Sequence, residues 1–375
     1  MTLWVCPTQV FDGQRLHKDH AIALQNGRAT AVLPQSQLPA DASVKRIIGT
    51  ICPGFLDLQV NGGGNVLLNM TPTAQGARDI AAAHHALGTR AILPTVITDR
   101  PEVMTAAADA ARMVQGDRGQ LGLHIEGPHI AIARRGTHAA AYIRPLDAAT
   151  VACVTDLLRD GVRTKITLAP EAATPAQINT LVAAGAIVSL GHTDADAAMI
   201  QAAIDAGARC FTHLFNAMSP MQGRAPGAVG TAINSDAYAG IICDGHHVAD
   251  EMIGLAIRAR ARADRMFLVS DAMPTVGGRD QFDLYGQTIR LQDGRLVNGQ
   301  GNLAGAHVTM AQSLQRAINV VGVSAERAFR MAITVPADLI GEPGLADISG
   351  LGLEDLIVLG ADYGFQGALS AALPA

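Results

Sequence analysis

Residues 174–212 read TPAQINTLVAAGAIVSLGHTDADAAMIQAAIDAGARCFT, and this stretch decides the fold. Thr174-Pro175 opens a helix. The hydroxyl caps the first turn, and proline takes the first helical position, where its missing N–H is not needed. Gly185 ends that helix, and the apolar run Ala186–Leu190 follows as a strand. The cycle then repeats: Asp194 begins a helix, Gly207 ends it, and Ala208–Thr212 is the next strand.

Working outward, the same punctuation recurs. Thr71-Pro72 starts a helix that runs to Leu87, and Gly88 stops it. The strand-like runs are Phe55–Leu58, Ala91–Val96, Leu121–Ile125, Lys165–Leu168, Ala186–Leu190, Ala208–Thr212, Gly240–Cys243 and Met266–Ser270. Strands alternating with helices in this number predict an α/β fold, a (β/α)8 TIM-type barrel over residues 52–345. A doubly wound sheet lacks the chain reversal it needs. Residues 278–301 interrupt the alternation with turn signals at Asp293-Gly294 and Asn298-Gly299, and read as a hairpin insertion after the eighth strand.

The ends of the chain behave differently. Leu3–Pro7, His20–Leu24 and Arg28–Leu33 are short strands separated by the turn signals Asp12-Gly13 and Asn26-Gly27, and Leu356–Leu359 is another strand. Residues 1–51 and 346–375 are therefore expected to form one small β-sandwich domain together.

Composition limits the function classes. The chain has 375 residues, 49% hydrophobic and 16% charged, which excludes a disordered protein and leaves material for a large core. A net charge of −5 with no basic tract gives no reason to expect nucleic acid or a membrane surface as partner. Residues Met1–Asp12 lack the pattern of a signal peptide, and no run of about 18 apolar residues suggests a membrane span. Cys6, Cys52, Cys153, Cys210 and Cys243 are scattered, mostly in apolar runs, and form no CxxC pair. Reduced thiols and a cytoplasmic setting are expected.

Polar residues cluster where the strands end. Gln59 and Asn61 follow the first strand, Glu126 the third, His192 the fifth, His213 the sixth and Asp271 the eighth. Barrel active sites form from the carboxyl ends of strands, so these side chains should converge on one mouth. A glutamate and two histidines suit one divalent metal with an open position for water, and a nearby aspartate suits proton transfer. Each has a plainer reading. A lone histidine is more often a hydrogen-bonded structural residue, Asp271 can serve as a helix cap, and Glu126 can belong to a turn. Agreement among several separate strand ends favours the metal site. Gly62–Gly64 is not a phosphate loop, since no Gly-Lys-Ser/Thr follows, and His84 and His85 read as mid-helix surface or packing residues.

The segments Pro53–Gly62 (PGFLDLQVNG), His124–Pro128 (HIEGP), Gly136–His138 (GTH), Leu168–Glu171 (LAPE), Gly191–Thr193 (GHT), Thr212–Met218 (THLFNAM), Asp244–Val248 (DGHHV) and Ser270–Ala272 (SDA) occur in this order. Together they resemble the N-acetylglucosamine-6-phosphate deacetylases of the amidohydrolase superfamily, over about residues 50–340. The resemblance implies one divalent metal per subunit, held by Glu126, His192 and His213. Zinc is the first expectation, and iron(II) or manganese would be chemically acceptable. Gln59 and Asn61 stand where many amidohydrolases have the His-x-His of a second metal, and neutral amides are poor ligands for one. Asp271 would take the proton of the attacking water and return it to the leaving amine, while His138 helps polarise the acetyl carbonyl. The phosphate would meet Asn216, the backbone of Ala217, Arg224 and His247, and Leu303 would line the sugar pocket.

The resemblance thus implies hydrolysis of N-acetyl-D-glucosamine 6-phosphate to D-glucosamine 6-phosphate and acetate by a homodimer. The chain departs from the family pattern at His246-His247, where one histidine is usual, and at His129, where an aromatic residue is common. Register selects His247. Other readings are the galactosamine epimer, an amidohydrolase of another N-acyl amide or cyclic imide, and a non-catalytic barrel that binds without turnover.

Overall fold

The structure, a computed structural model, describes residues 2–299, 301 and 303–373. The outermost residues of both terminal segments, and Gln300 of the expected insertion, lie outside the described residues. Eight strands form one sheet in sequence order: Phe55–Val60, Thr89–Ile97, Leu123–Glu126, Thr164–Leu168, Ile187–Leu190, Cys210–Phe211, Tyr238–Ile241 and Met266–Leu268. Neighbours pair in parallel throughout. A parallel bridge from Val60 to Ala272 brings the first strand to the segment after the eighth, so the sheet curls into a nearly closed barrel. Its strands read as continuous apolar runs because helices cover the outside and side chains fill the inside.

Helix boundaries follow local chemistry. Thr174 caps the helix Pro175–Ala183 with a reciprocal capping box to Gln177. The earlier helix, Ala74–His85, starts from Thr73 rather than from Thr71-Pro72, because Thr73 Oγ1 reaches the backbone N–H of Gly76. The helix Ala197–Asp205 is capped by Asp196, not Asp194. Asp194 instead donates its backbone N–H to Glu171 and pairs with Arg134. His84 and His85 lie in the last helical turn. His84 is buried against the carbonyl of Gly62, and His85 joins Arg118 at Asp355.

Both chain ends enter one seven-stranded sheet, in the order Phe365–Ala368, Leu356–Leu359, Ser43–Pro53, Leu3–Phe11, His20–Gln25 and Arg28–Pro34, with Leu16–Lys18 added beside Leu3–Phe11. Ser43–Pro53 joins the two ends, parallel to Leu3–Phe11 and antiparallel to Leu356–Leu359. Val5, Ile22, Leu24, Ile51, Leu356 and Val358 form its core, separate from that of the barrel.

The interruption after the eighth strand is a three-stranded antiparallel sheet, Gln281–Leu284, Gln287–Gln292 and Arg295–Val297. Asp293-Gly294 makes its second turn, as expected. Tyr285-Gly286 makes its first, with both residues at positive φ. Asn298-Gly299 lies past the last of these strands. Leu284, Ile289 and Leu296 pack on Leu67, Ile97 and Met273, which seats the inserted sheet on the rim of the barrel mouth.

Candidate active site

Three groups of different type meet at the mouth. Glu126 ends the third barrel strand, and His192 and His213 each lie two residues beyond the fifth and sixth. Glu126 Oε1 stands 3.2 Å from His192 Nε2 and 3.1 Å from His213 Nε2, and the two imidazole nitrogens are 3.1 Å apart. All three side chains are buried. His192 Nδ1 lies 2.8 Å from the carbonyl of Arg134, which can only accept, so Nδ1 carries the proton and Nε2 the lone pair. A carboxylate and imidazole lone pairs pointing at one spot repel unless a cation lies between them. The donor set therefore fits a divalent metal. Burial alone would raise the Glu126 carboxyl, but the two imidazoles set against it, His192 and then His213, overcome it and hold the group well below its usual range.

Gln59 and Asn61 behave as donors. Gln59 Nε2 donates to both Glu126 oxygens, at 3.2 and 3.1 Å, and to Asp271 Oδ1 at 3.1 Å. Asn61 Nδ2 donates to the same Asp271 oxygen at 2.8 Å. Gln59 thus bridges two carboxylates that would otherwise repel, and Asn61 supports the second of them. Burial, and then the charge of Glu126, raise the Asp271 carboxyl above its ordinary value. Asp57, fully buried in the first strand, accepts from the backbone N–H and the hydroxyl of Ser270, next to Asp271. Burial pushes the Asp57 carboxyl up to about 7.

The backbone at these positions is unusual. His192, His213, Phe215, Ala217 and Asp271 have φ of +48°, +31°, +80°, +51° and +53°. Side-chain-bearing residues rarely adopt this region, and such strain concentrates at functional sites. Asp271 is pinned by its own N–H to Gln59 O at 3.0 Å and its carbonyl to Ala306 N at 3.0 Å.

One cavity opens over this group. Among the residues expected from the sequence, Asn61, Glu126, His138, His192, His213, Asn216, Ala217, His247, Asp271 and Leu303 line it, and Gln59 sits directly behind. His138 packs its ring 4.4 Å from that of His192. His247 Nδ1 meets Asp244 Oδ2 at 2.6 Å, and Asp244 also accepts the backbone N–H groups of His246 and His247. Although burial opposes it, the His247 contact holds the Asp244 carboxyl at about 2. His246 faces a different hollow, with Gly294, His307 and Arg316. His129 is fully buried, with its nitrogens 3.1 Å from Arg144 O and 2.9 Å from Thr150 Oγ1, and is structural.

Arg224 is the exception. It is exposed in the turn between Ser219 and Gly227 and does not line the cavity of its own chain. The Gln222–Ala225 bridge closes that turn and carries the side chain outward. Sequence reasoning does not single out Ile97 and Met273, which line the cavity, or Thr98, whose hydroxyl is 2.7 Å from His138 Nδ1. For Thr98 a signal exists, since it is the polar residue just beyond the second strand.

Known proteins point the same way. No protein-family model matches the chain. It is 42% identical over 306 residues to N-acetylgalactosamine-6-phosphate deacetylase of Shewanella sp. (strain ANA-3), which covers 80% of this chain and 77% of that protein. It is 34% identical over 332 residues to N-acetylglucosamine-6-phosphate deacetylase of Haemophilus influenzae, with 86% of each chain covered. The crystal structure of N-acetylglucosamine-6-phosphate deacetylase from Pasteurella multocida superposes with a TM-score of 0.89 over 98% of both chains, at 32% identity. The buried Glu-His-His group at a barrel mouth, the aspartate bridged to it and these likenesses agree, and the chain belongs to the N-acetylglucosamine-6-phosphate deacetylase family of the amidohydrolase superfamily, hydrolases that act on an amide bond.

Proposed function

We propose that the protein removes the acetyl group from N-acetyl-D-glucosamine 6-phosphate, giving D-glucosamine 6-phosphate and acetate. The observation that carries this reading is the meeting of Glu126, His192, His213 and Asp271 at one cavity, in a chain whose relatives are named for such reactions. The three ligands would hold one divalent cation, with zinc as the first choice and iron(II) or manganese as alternatives. When bound there, it lowers the pKa of a water to about 7 and polarises a carbonyl.

The chain's own residues do the rest. Asp271 takes the proton of the attacking water and delivers it to the nitrogen as the C–N bond breaks. Its Oδ1 is held by Gln59 and Asn61, which leaves Oδ2 with no protein partner among the described residues. His138 donates to the acetyl oxygen as negative charge develops on it. Asn216, the Ala217 backbone and His247 bind the phosphate, and Leu303 packs against the sugar. Arg224 would serve through a homodimer, reaching the phosphate held by the neighbouring subunit. Exposed Met221, 45% accessible beside it, suits a covered interface. No helix among the described residues is long and apolar enough to cross a membrane, and we place the enzyme in the cytoplasm as a catabolic amino-sugar deacetylase.

A second reading is favoured by one observation: the relative at 42% identity is named for the galactosamine epimer. Acetate release from both 6-phosphorylated epimers and their unphosphorylated forms, with metal content measured on the same sample, tests both readings. The proposal expects the higher kcat/KM on the glucosamine compound and a large loss without phosphate. A preference for the galactosamine compound moves the assignment to that epimer. No acetate from either phosphorylated sugar by metal-loaded protein overturns both. Arg224→Ala should raise KM for the phosphorylated substrate alone.

A further inference from the structure

Thr98 lies directly after the second barrel strand, fully buried and held on three sides. Its hydroxyl is 2.7 Å from His138 Nδ1. Its carbonyl accepts from the hydroxyl of Tyr285. Gly127 packs so close that a Cβ there would stand 2.3 Å from Thr98 Oγ1. One residue back, the Asn69 amide brackets Ile97, donating to its carbonyl and accepting from its N–H, both at 2.9 Å. Tyr285 occupies the first turn of the inserted sheet, at φ +51°, and packs on that sheet's own core. The insertion therefore touches the backbone that carries the His138 partner.

We propose that Thr98 and Tyr285 are positioning residues for His138: the Thr98 hydroxyl donates to Nδ1 and keeps the imidazole proton on Nε2, and Tyr285 fixes Thr98 from the inserted sheet. A hydroxyl has one proton to give, and His138 Nδ1 is the side-chain acceptor within reach of this one. An imidazole that accepts at Nδ1 carries its proton on Nε2, the nitrogen then available to donate to an acyl oxygen. The inserted sheet thus takes part in aligning the site besides covering it. The inference rests on the reading above, in which His138 donates to the acetyl oxygen.

The test combines kinetics with a signal independent of turnover. Loss of one aligned donor costs about 10²-fold in kcat, so Thr98→Val should fall by that amount with KM within about twofold. Thr98→Ser should recover most of the loss. Tyr285→Phe should lower kcat severalfold alone and add nothing in the Thr98→Val background, because both act through one contact. In the wild-type protein, the ¹⁵N shifts of His138, assigned by their absence in His138→Gln, should report a proton on Nε2 and none on Nδ1. A merely structural role predicts multiplicative losses that follow melting temperature. Such losses, unchanged kcat in Thr98→Val, or a proton on Nδ1 would overturn the assignment. If the wild-type protein releases no acetate, the functional reading fails, and the ¹⁵N measurement still decides the assignment of Thr98.

Discussion

The two ends of the barrel solve one backbone problem in opposite ways. At the foot, where helices turn back into strands, the positive-φ positions are glycines, among them Gly88, Gly116, Gly161, Gly185 and Gly207. At the mouth, glycines such as Gly127, Gly136 and Gly305 share the conformation with residues that carry a Cβ: His192, His213, Phe215, Ala217 and Asp271. Glycine accepts this conformation freely, whereas a residue with a Cβ is disfavoured by about 1–2 kcal/mol. The mouth needs imidazoles and a carboxylate at those points, so it retains the strain. The foot needs only a turn, and relaxes. The charges divide in the same way. The mouth buries Glu126 with a half-buried Asp271 bridged to it by Gln59, and the foot leaves Asp355 part-exposed against Arg118 and His85.

The largest effect should come from removing what the mouth strain supports. Glu126→Gln or His213→Ala should drop metal content well below one per chain and lower acetate release by at least about 10³-fold, read by elemental analysis and assay on one sample. Chelation should do the same to the unaltered chain, with zinc restoring activity. Retained metal and turnover in either variant would break the mouth half of the comparison.

Backbone substitutions sharpen it, with opposite signs. Gly185 has φ +102°, and a Cβ added there would meet nothing within 4 Å, so Gly185→Ala tests backbone strain alone. It should lose about 2 kcal/mol of stability and keep its kcat. Ala217→Gly should gain about 0.5 kcal/mol, since relief of strain slightly exceeds glycine's added backbone entropy. Denaturant titration of both measures the contrast, and changes of the same sign would refute it.

The smallest effect is electrostatic. The His85 imidazole, 3.7 Å away, and then the hydrogen bond from Arg118 hold the Asp355 carboxyl at about 2, against a burial effect that raises it. Its pKa is lower folded than unfolded, so the pair stabilises fully above about pH 4 and progressively less as pH falls towards 2. The pair is partly exposed, so Asp355→Asn should cost at most about 1 kcal/mol at pH 7, with the difference vanishing near pH 2. A gap that persists at pH 2 would show that the loss is one of packing.

Much of this molecule is legible in sequence because local chemistry dictates it. Helix-ending glycines place the strands that follow Gly88, Gly185 and Gly207, and short apolar runs place the other barrel strands, since each boundary depends on neighbours in the chain. Polar residues just past strand ends locate Glu126, His192, His213 and Asp271 for the same reason. What is not legible depends on distant partners. Ser43–Pro53 does not read as a strand because Lys45, Arg46 and Gly49 break its alternation, and only the sheet around it shows why Gly49 fits: a Cβ there would meet Leu359 O at 2.2 Å. The Tyr285-Gly286 turn has no asparagine or aspartate to announce it. Arg224 sits in a loop whose direction no local spacing determines. Thr98 shows in the sequence only as a polar residue past the second strand, and its role rests on three contacts from segments far away in the chain.

The most direct test of the account compares the wild-type chain with Asp271→Asn, each carrying one divalent ion, for acetate released from N-acetyl-D-glucosamine 6-phosphate. The account predicts acetate and free amine in equal amounts from the wild type, and about 10³-fold slower release from the variant at equal metal content. Full activity in the variant, or no acetate from the metal-loaded wild type, would contradict it.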